Sequence, residues 1–84
     1  MDKLDLHDLD KEELIRLIKL PNHLRKTMFA VIALGEATAT EISKQTGKSR
    51  ATESDYLNQL ERMGYLKRSN ASKKIYFSPN RTKS

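Results

Sequence analysis

The stretch Thr46-Gly47-Lys48-Ser49-Arg50-Ala51-Thr52 holds the residues of this 84-residue chain best suited to grip an anion. Gly47 can end one helix in a left-handed turn, and Ser49 can cap the start of the next. A capped helix start points free backbone N–H groups outward, and Arg50 adds a permanent cation beside them. That combination recognises phosphate; it does not make or break bonds. Lys73 and Lys74 supply a second cationic pair further along. Two acids, Glu53 and Asp55, lie just downstream of Ser49 and would repel a phosphate, so each needs its own account.

Nothing else in the chain offers catalytic chemistry. His7 and His23 are sixteen residues apart, with no thiol or regular carboxylate spacing between them, so no metal site is expected. There is no Gly-rich phosphate loop and no nucleophile motif, and the carboxylates fall on solvated helix faces. The expectation is a non-enzyme without cofactor. The absence of cysteine excludes disulfides and thiolate sites and suits a reducing cytoplasm.

Charge is distributed unevenly. The net value is +5, but residues 1–20 carry six acids against four bases, whereas from Arg62 onward there are seven bases and no acid. A basic half of this kind points to a polyanionic partner, most often nucleic acid. The longest apolar run, Met28–Leu34, is far too short to span a membrane, and the acidic N-terminus MDKLDLHDLD lacks the cationic region of a signal peptide. At 37% hydrophobic residues in one small domain, the core is lean, and self-association would supplement it.

Hydrophobic spacing and capping signals lay out the elements that must position these groups. Asp10-x-x-Glu13 reads as a capping box opening a first helix over about 10–20, with Leu14, Leu17 and Ile18 at helical spacing and Leu4, Leu6 and Leu9 as a lead-in. Asn22 is the expected cap of a second helix. Its inward stripe is Leu24, Met28, Val31 and Ile32, widened by Phe29, and Gly35 stops it. Thr38-x-x-Glu41 predicts a third helix ending at Gly47, and Ser49 a fourth running to Gly64. The period then changes to two. Residues 65–68 and 75–78 read as strands joined by a polar turn over 69–74, with Pro79 closing the hairpin and NRTKS as a frayed tail.

Helix, helix, glycine turn, helix, hairpin is the order of a winged helix-turn-helix, and residues 22–78 resemble the winged domains of the MarR and ArsR transcription-regulator families. ATATEISKQTGKSRAT, LNQLERMGYLKR and KKIYFSP carry the resemblance. It implies a mainly α fold with a small β-hairpin and an extra N-terminal helix: a leader and helix over 1–21, the winged domain over 22–78, and a basic tail over 79–84. It also implies sequence-specific binding of double-stranded DNA by a cytoplasmic homodimer, probing the major groove with helix 49–64 and the backbone or minor groove with hairpin 65–78, as a repressor. By position, the DNA-contacting residues would be Thr38, Lys44, Lys48, Ser49, Arg50, Ala51, Thr52, Ser54, Asp55 and Asn58, with Arg68, Asn70, Lys73 and Lys74 in the wing. Leu14, Leu17 and Ile18 would form the dimer interface. The alternative is a winged helix that contacts protein within a larger assembly. Positions 46, 48 and 53 are usually apolar in such domains but are Thr, Lys and Glu here, which predicts a looser junction between the third and fourth helices, or a slightly rotated one.

The two acids separate on a helical wheel. Glu53 falls on the core side, where it is expected to pair with a base from the second or third helix. Asp55 points almost directly outward, where it would accept a hydrogen bond from cytosine or penalise non-specific phosphate contact; the alternative is a solvated charge off the contact surface.

Overall fold

In the computed structural model, which describes residues 11–80, four helices are followed by an antiparallel hairpin: α1 (Lys11–Ile18), α2 (Asn22–Leu34), α3 (Ala39–Thr46), α4 (Arg50–Arg62), β1 (Leu66–Ala71) and β2 (Lys74–Pro79). The expected capping box at Asp10, the leucines at 4, 6 and 9, His7 and residues 81–84 lie outside the described residues. The mainly α winged architecture is the one that the order of capping and periodicity signals predicted.

α1 is shorter than expected because Lys19 and Leu20 bend back onto Ile15 and Leu17 in a tightened last turn. The start of α2 also differs. Pro21, with an extended backbone (φ −55°, ψ 152°), is the N-cap, and its carbonyl accepts the Arg25 amide. Proline has no N–H to satisfy, so it suits this position. Asn22 therefore sits inside the first turn and does not cap it. Its Oδ1 accepts from Arg25 Nη2 at 2.8 Å, while Arg25 Nη1 donates back to the Ile18 carbonyl at 3.0 Å, fastening the α1–α2 corner.

The ends of α3 and the start of α4 form as local chemistry dictates. Thr38 Oγ1 accepts the Glu41 amide, and the Glu41 carboxylate accepts the Thr38 amide, completing the capping box. Gly47 ends α3 in the left-handed region (φ 80°, ψ 5°), which glycine adopts without steric cost. Ser49 Oγ then accepts the Thr52 amide at 3.1 Å and caps α4.

The hairpin zips further than periodicity alone indicated. Leu66 faces Pro79 and Ala71 faces Lys74, so only Ser72 and Lys73 remain as the turn, with φ of 52° and 65°. Two consecutive positive φ values give a turn whose twist matches that of the strands, so pairing continues to the tip and the expected 69–74 loop is mostly strand. Ala37 and Phe77 exchange both backbone hydrogen bonds (3.0 and 2.8 Å), attaching β2 to the segment before α3. Asn80, expected to begin a frayed tail, is held by its amide to the Tyr65 carbonyl and by Nδ2 to the Gly64 carbonyl.

One core joins every element: Leu17 and Leu20, Leu24, Met28 and Val31 of α2, Ile42 of α3, Leu57 and Leu60 of α4, and Leu66 and Phe77 from the hairpin. Burying such side chains contributes about 1.5–3 kcal/mol each. Leu17 belongs to this core and Leu14 packs partly against it, so Leu17 is not available to a second copy of the chain. Tyr65 locks α1 in place: its hydroxyl donates to the Arg16 carbonyl at 2.9 Å, and the Arg16 guanidinium lies 4.5 Å above its ring. The outer face of α1 presents Ile15 and Ile18, the latter 66% exposed.

Candidate nucleic-acid interface

α4 is oriented by a buried polar contact. Glu53 has no solvent exposure, and its carboxyl accepts from Thr27 Oγ1 of α2 at 2.6 Å and from Thr46 Oγ1 of α3 at 2.7 Å. The expected partner was a base, but two hydroxyls fill that role. Each carboxyl oxygen has one short hydrogen bond, and no buried side-chain polar atom among the described residues lacks a partner. The polar residues at 46 and 53 thus do not loosen the α3–α4 junction. They bond to each other across it, and Thr46 Oγ1 also accepts the Lys48 amide at 3.3 Å.

With α4 held in this rotation, Arg50, Ser54 and Asn58 form a stripe at four-residue spacing along one face. That stripe forms one wall of a groove of about 590 Å³; Arg68, Lys73, Lys74 and Ile75 of the hairpin form another, and Thr38 and Lys44 lie at the α3 side. Five cations line it (Lys44, Arg50, Arg68, Lys73, Lys74) against one acid, Glu41, whose carboxylate is engaged in the α3 capping box. A phosphodiester backbone entering this groove would meet positive charge on both sides.

The remaining expected contacts are placed differently. Lys48, Ala51, Asp55 and Asn70 are exposed but do not line the groove. Asp55 follows Ser54 by one residue, about 100° round the helix, on the outward face. The Ser49 hydroxyl is committed to the cap, accepting the Thr52 amide and donating to Thr52 Oγ1, and Thr52 is half-buried. Arg68 is also engaged: Nη2 donates to Asn58 Oδ1 and, at 2.9 Å, to Glu61 Oε1. Glu61 and Thr27 were not among the residues singled out by spacing; both act through partners distant in sequence, which periodicity does not report. Among the described residues no group of His, Asp and Glu is arranged to hold a metal ion, and no helix is long and apolar enough to cross a membrane.

Comparison with known proteins gives this arrangement a setting. Residues 25–80 match the family model described as "Sugar-specific transcriptional regulator TrmB". A protein of Archaeoglobus fulgidus, described as uncharacterized, is 48% identical over 58 residues, which is 69% of this chain and 78% of that one. Among solved structures, the AntR antimony-specific transcriptional repressor superposes with a TM-score of 0.64 at 22% identity, covering 88% of this chain and 74% of the other. The oxidized form of MarR from E. coli superposes with a TM-score of 0.67 at 15% identity, covering 89% and 68%. HlyU from Vibrio cholerae gives 0.61 at 17% identity, covering 88% and 84%. At these identities the three structures establish a shared winged-helix fold.

Proposed function

The chain belongs to the TrmB family of transcriptional regulators, and from that premise we propose that it binds duplex DNA sequence-specifically, as a repressor acting in the cytoplasm, with α4 in the major groove and the hairpin along the backbone. One observation supports this most: Lys44, Arg50, Lys73 and Lys74, drawn from three separate elements, converge on a single groove beside the polar stripe of α4. Cations so placed fix register on phosphates, while Ser54 and Asn58 lie where base edges can be read. No catalytic step is assigned to the chain.

The unit that binds is a homodimer in this reading. Because Leu17 is spent on the core, the interface is assigned to the outer face of α1, where Ile15 and Ile18 stand exposed three residues apart. Two domains together would neutralise on the order of six phosphates, so the logarithm of affinity should fall against the logarithm of salt with a slope of about −5. Titrating a duplex chosen by selection from random sequences, at several salt concentrations, tests this. An affinity indifferent to salt would overturn DNA binding and favour a protein partner for α4.

A further inference from the structure

We propose that Arg68 is a positioning residue: a strut that sets the hairpin against α4, acting on DNA only through the placement of other groups. The inference rests on the duplex-binding reading above. Arg68 stands on β1 directly across from Phe77, with its guanidinium 5.6 Å from the centre of that ring. From there it reaches the helix, donating to Asn58 and Glu61, which lie three residues apart on one face of α4. Its contact with Glu61 is the one ion pair among the described residues. A planar guanidinium holding two acceptors on a neighbouring element is a directional brace, in a way a lysine ammonium is not.

Charge placement favours keeping Arg68 where it is. Glu61 is partly exposed beside Arg68, outside the groove lining, and a phosphate drawn toward a departing Arg68 would face an unpaired carboxylate. While the pair holds, Glu61 is neutralised and Asn58 is held by its oxygen. The lysines of the tip, Lys73 and Lys74, are carried at a fixed reach from Arg50. Loss of the strut would let the tip wander and blur that spacing.

Two measurements on the full chain test this, using Glu61→Ala, which keeps α4 helical because alanine is the best helix former. In free protein, amide hydrogen exchange across β1 and β2 should quicken by about twofold to fivefold, the range expected for a half-exposed ion pair. Unchanged exchange overturns the strut. On duplex DNA, Glu61→Ala should bind more weakly even though it removes a negative charge, and Arg68→Lys should weaken binding although it keeps a positive one. If Glu61→Ala binds as tightly as the parent or more so, Arg68 serves phosphate directly and the proposal falls. A parent protein with no salt-dependent binding would overturn the DNA reading alone, since the exchange measurement still decides the strut.

Discussion

Thr27 Oγ1 and Glu53 Oε1 meet at 2.6 Å between α2 and α4, where neither side chain touches solvent. Thr46 closes on the other carboxyl oxygen, so one acid fastens three helices. Removing it should be costly. Glu53→Ala leaves a cavity and takes from two hydroxyls their shortest hydrogen bonds, leaving only contacts of 3.3 Å to the His23 carbonyl and the Lys48 amide, and should lower unfolding free energy by about 2–4 kcal/mol in urea titration. Replacing the whole set with apolar residues (Thr27→Val, Thr46→Val, Glu53→Leu) should restore stability to within about 1 kcal/mol of the parent. A harmless Glu53→Ala would mean that the carboxyl does not hold α4 as described.

The hairpin tip should act through charge. Lys73→Ala with Lys74→Ala is expected to weaken binding to all duplexes alike and to flatten the salt slope by about two units per domain. Salt titrations of a selected and a scrambled duplex measure both effects. A loss of sequence preference with an unaltered slope would show instead that the tip reads bases.

Asp55 faces outward on α4, beyond the groove lining. As a selectivity filter it would repel phosphates everywhere and accept a bond from cytosine on the preferred site only. Asp55→Ala should then tighten binding to random DNA while costing about 1–3 kcal/mol on the preferred sequence. The ratio of the two affinities at one salt concentration is the informative quantity, and it should fall several-fold. If both affinities rise together, Asp55 is merely a charge near DNA.

The outer face of α1 should govern assembly. Ile15→Glu with Ile18→Glu places charges on an exposed apolar pair without entering the core, so the fold should persist while the dimer dissociates. Sedimentation equilibrium checks this alongside circular dichroism. A double variant that remains dimeric puts the interface elsewhere.

Which features could be read from sequence depended on how far apart the partners lie along the chain. The Thr38–Glu41 capping box, the Ser49 cap and the left-handed Gly47 each rest on bonds within a few residues, so spacing reveals them. The core stripe of α2 and the core-facing side of Glu53 follow from helical periodicity for the same reason. What fills the space opposite Glu53 does not: Thr27 is twenty-six residues away, and a wheel does not distinguish a waiting base from a waiting hydroxyl. Arg68 looked like a free wing cation because its acceptors lie seven and ten residues back on another element. Leu17 and Ile18 share one apolar stripe, and only the packing of α1 on Tyr65 and α2 turns one inward and leaves the other outside.

The tip of the hairpin sets two demands against each other at a single residue. Lys73 holds a positive φ of 65°, a conformation glycine would adopt without strain, yet glycine would remove one of the cations lining the groove. Lys73→Gly would thus make the molecule hardier and a poorer ligand for DNA at once. Laboratory evolution that rewarded heat resistance alone would pull this position toward glycine, and a culture carrying the winner would pass every stability screen while losing control of its target genes.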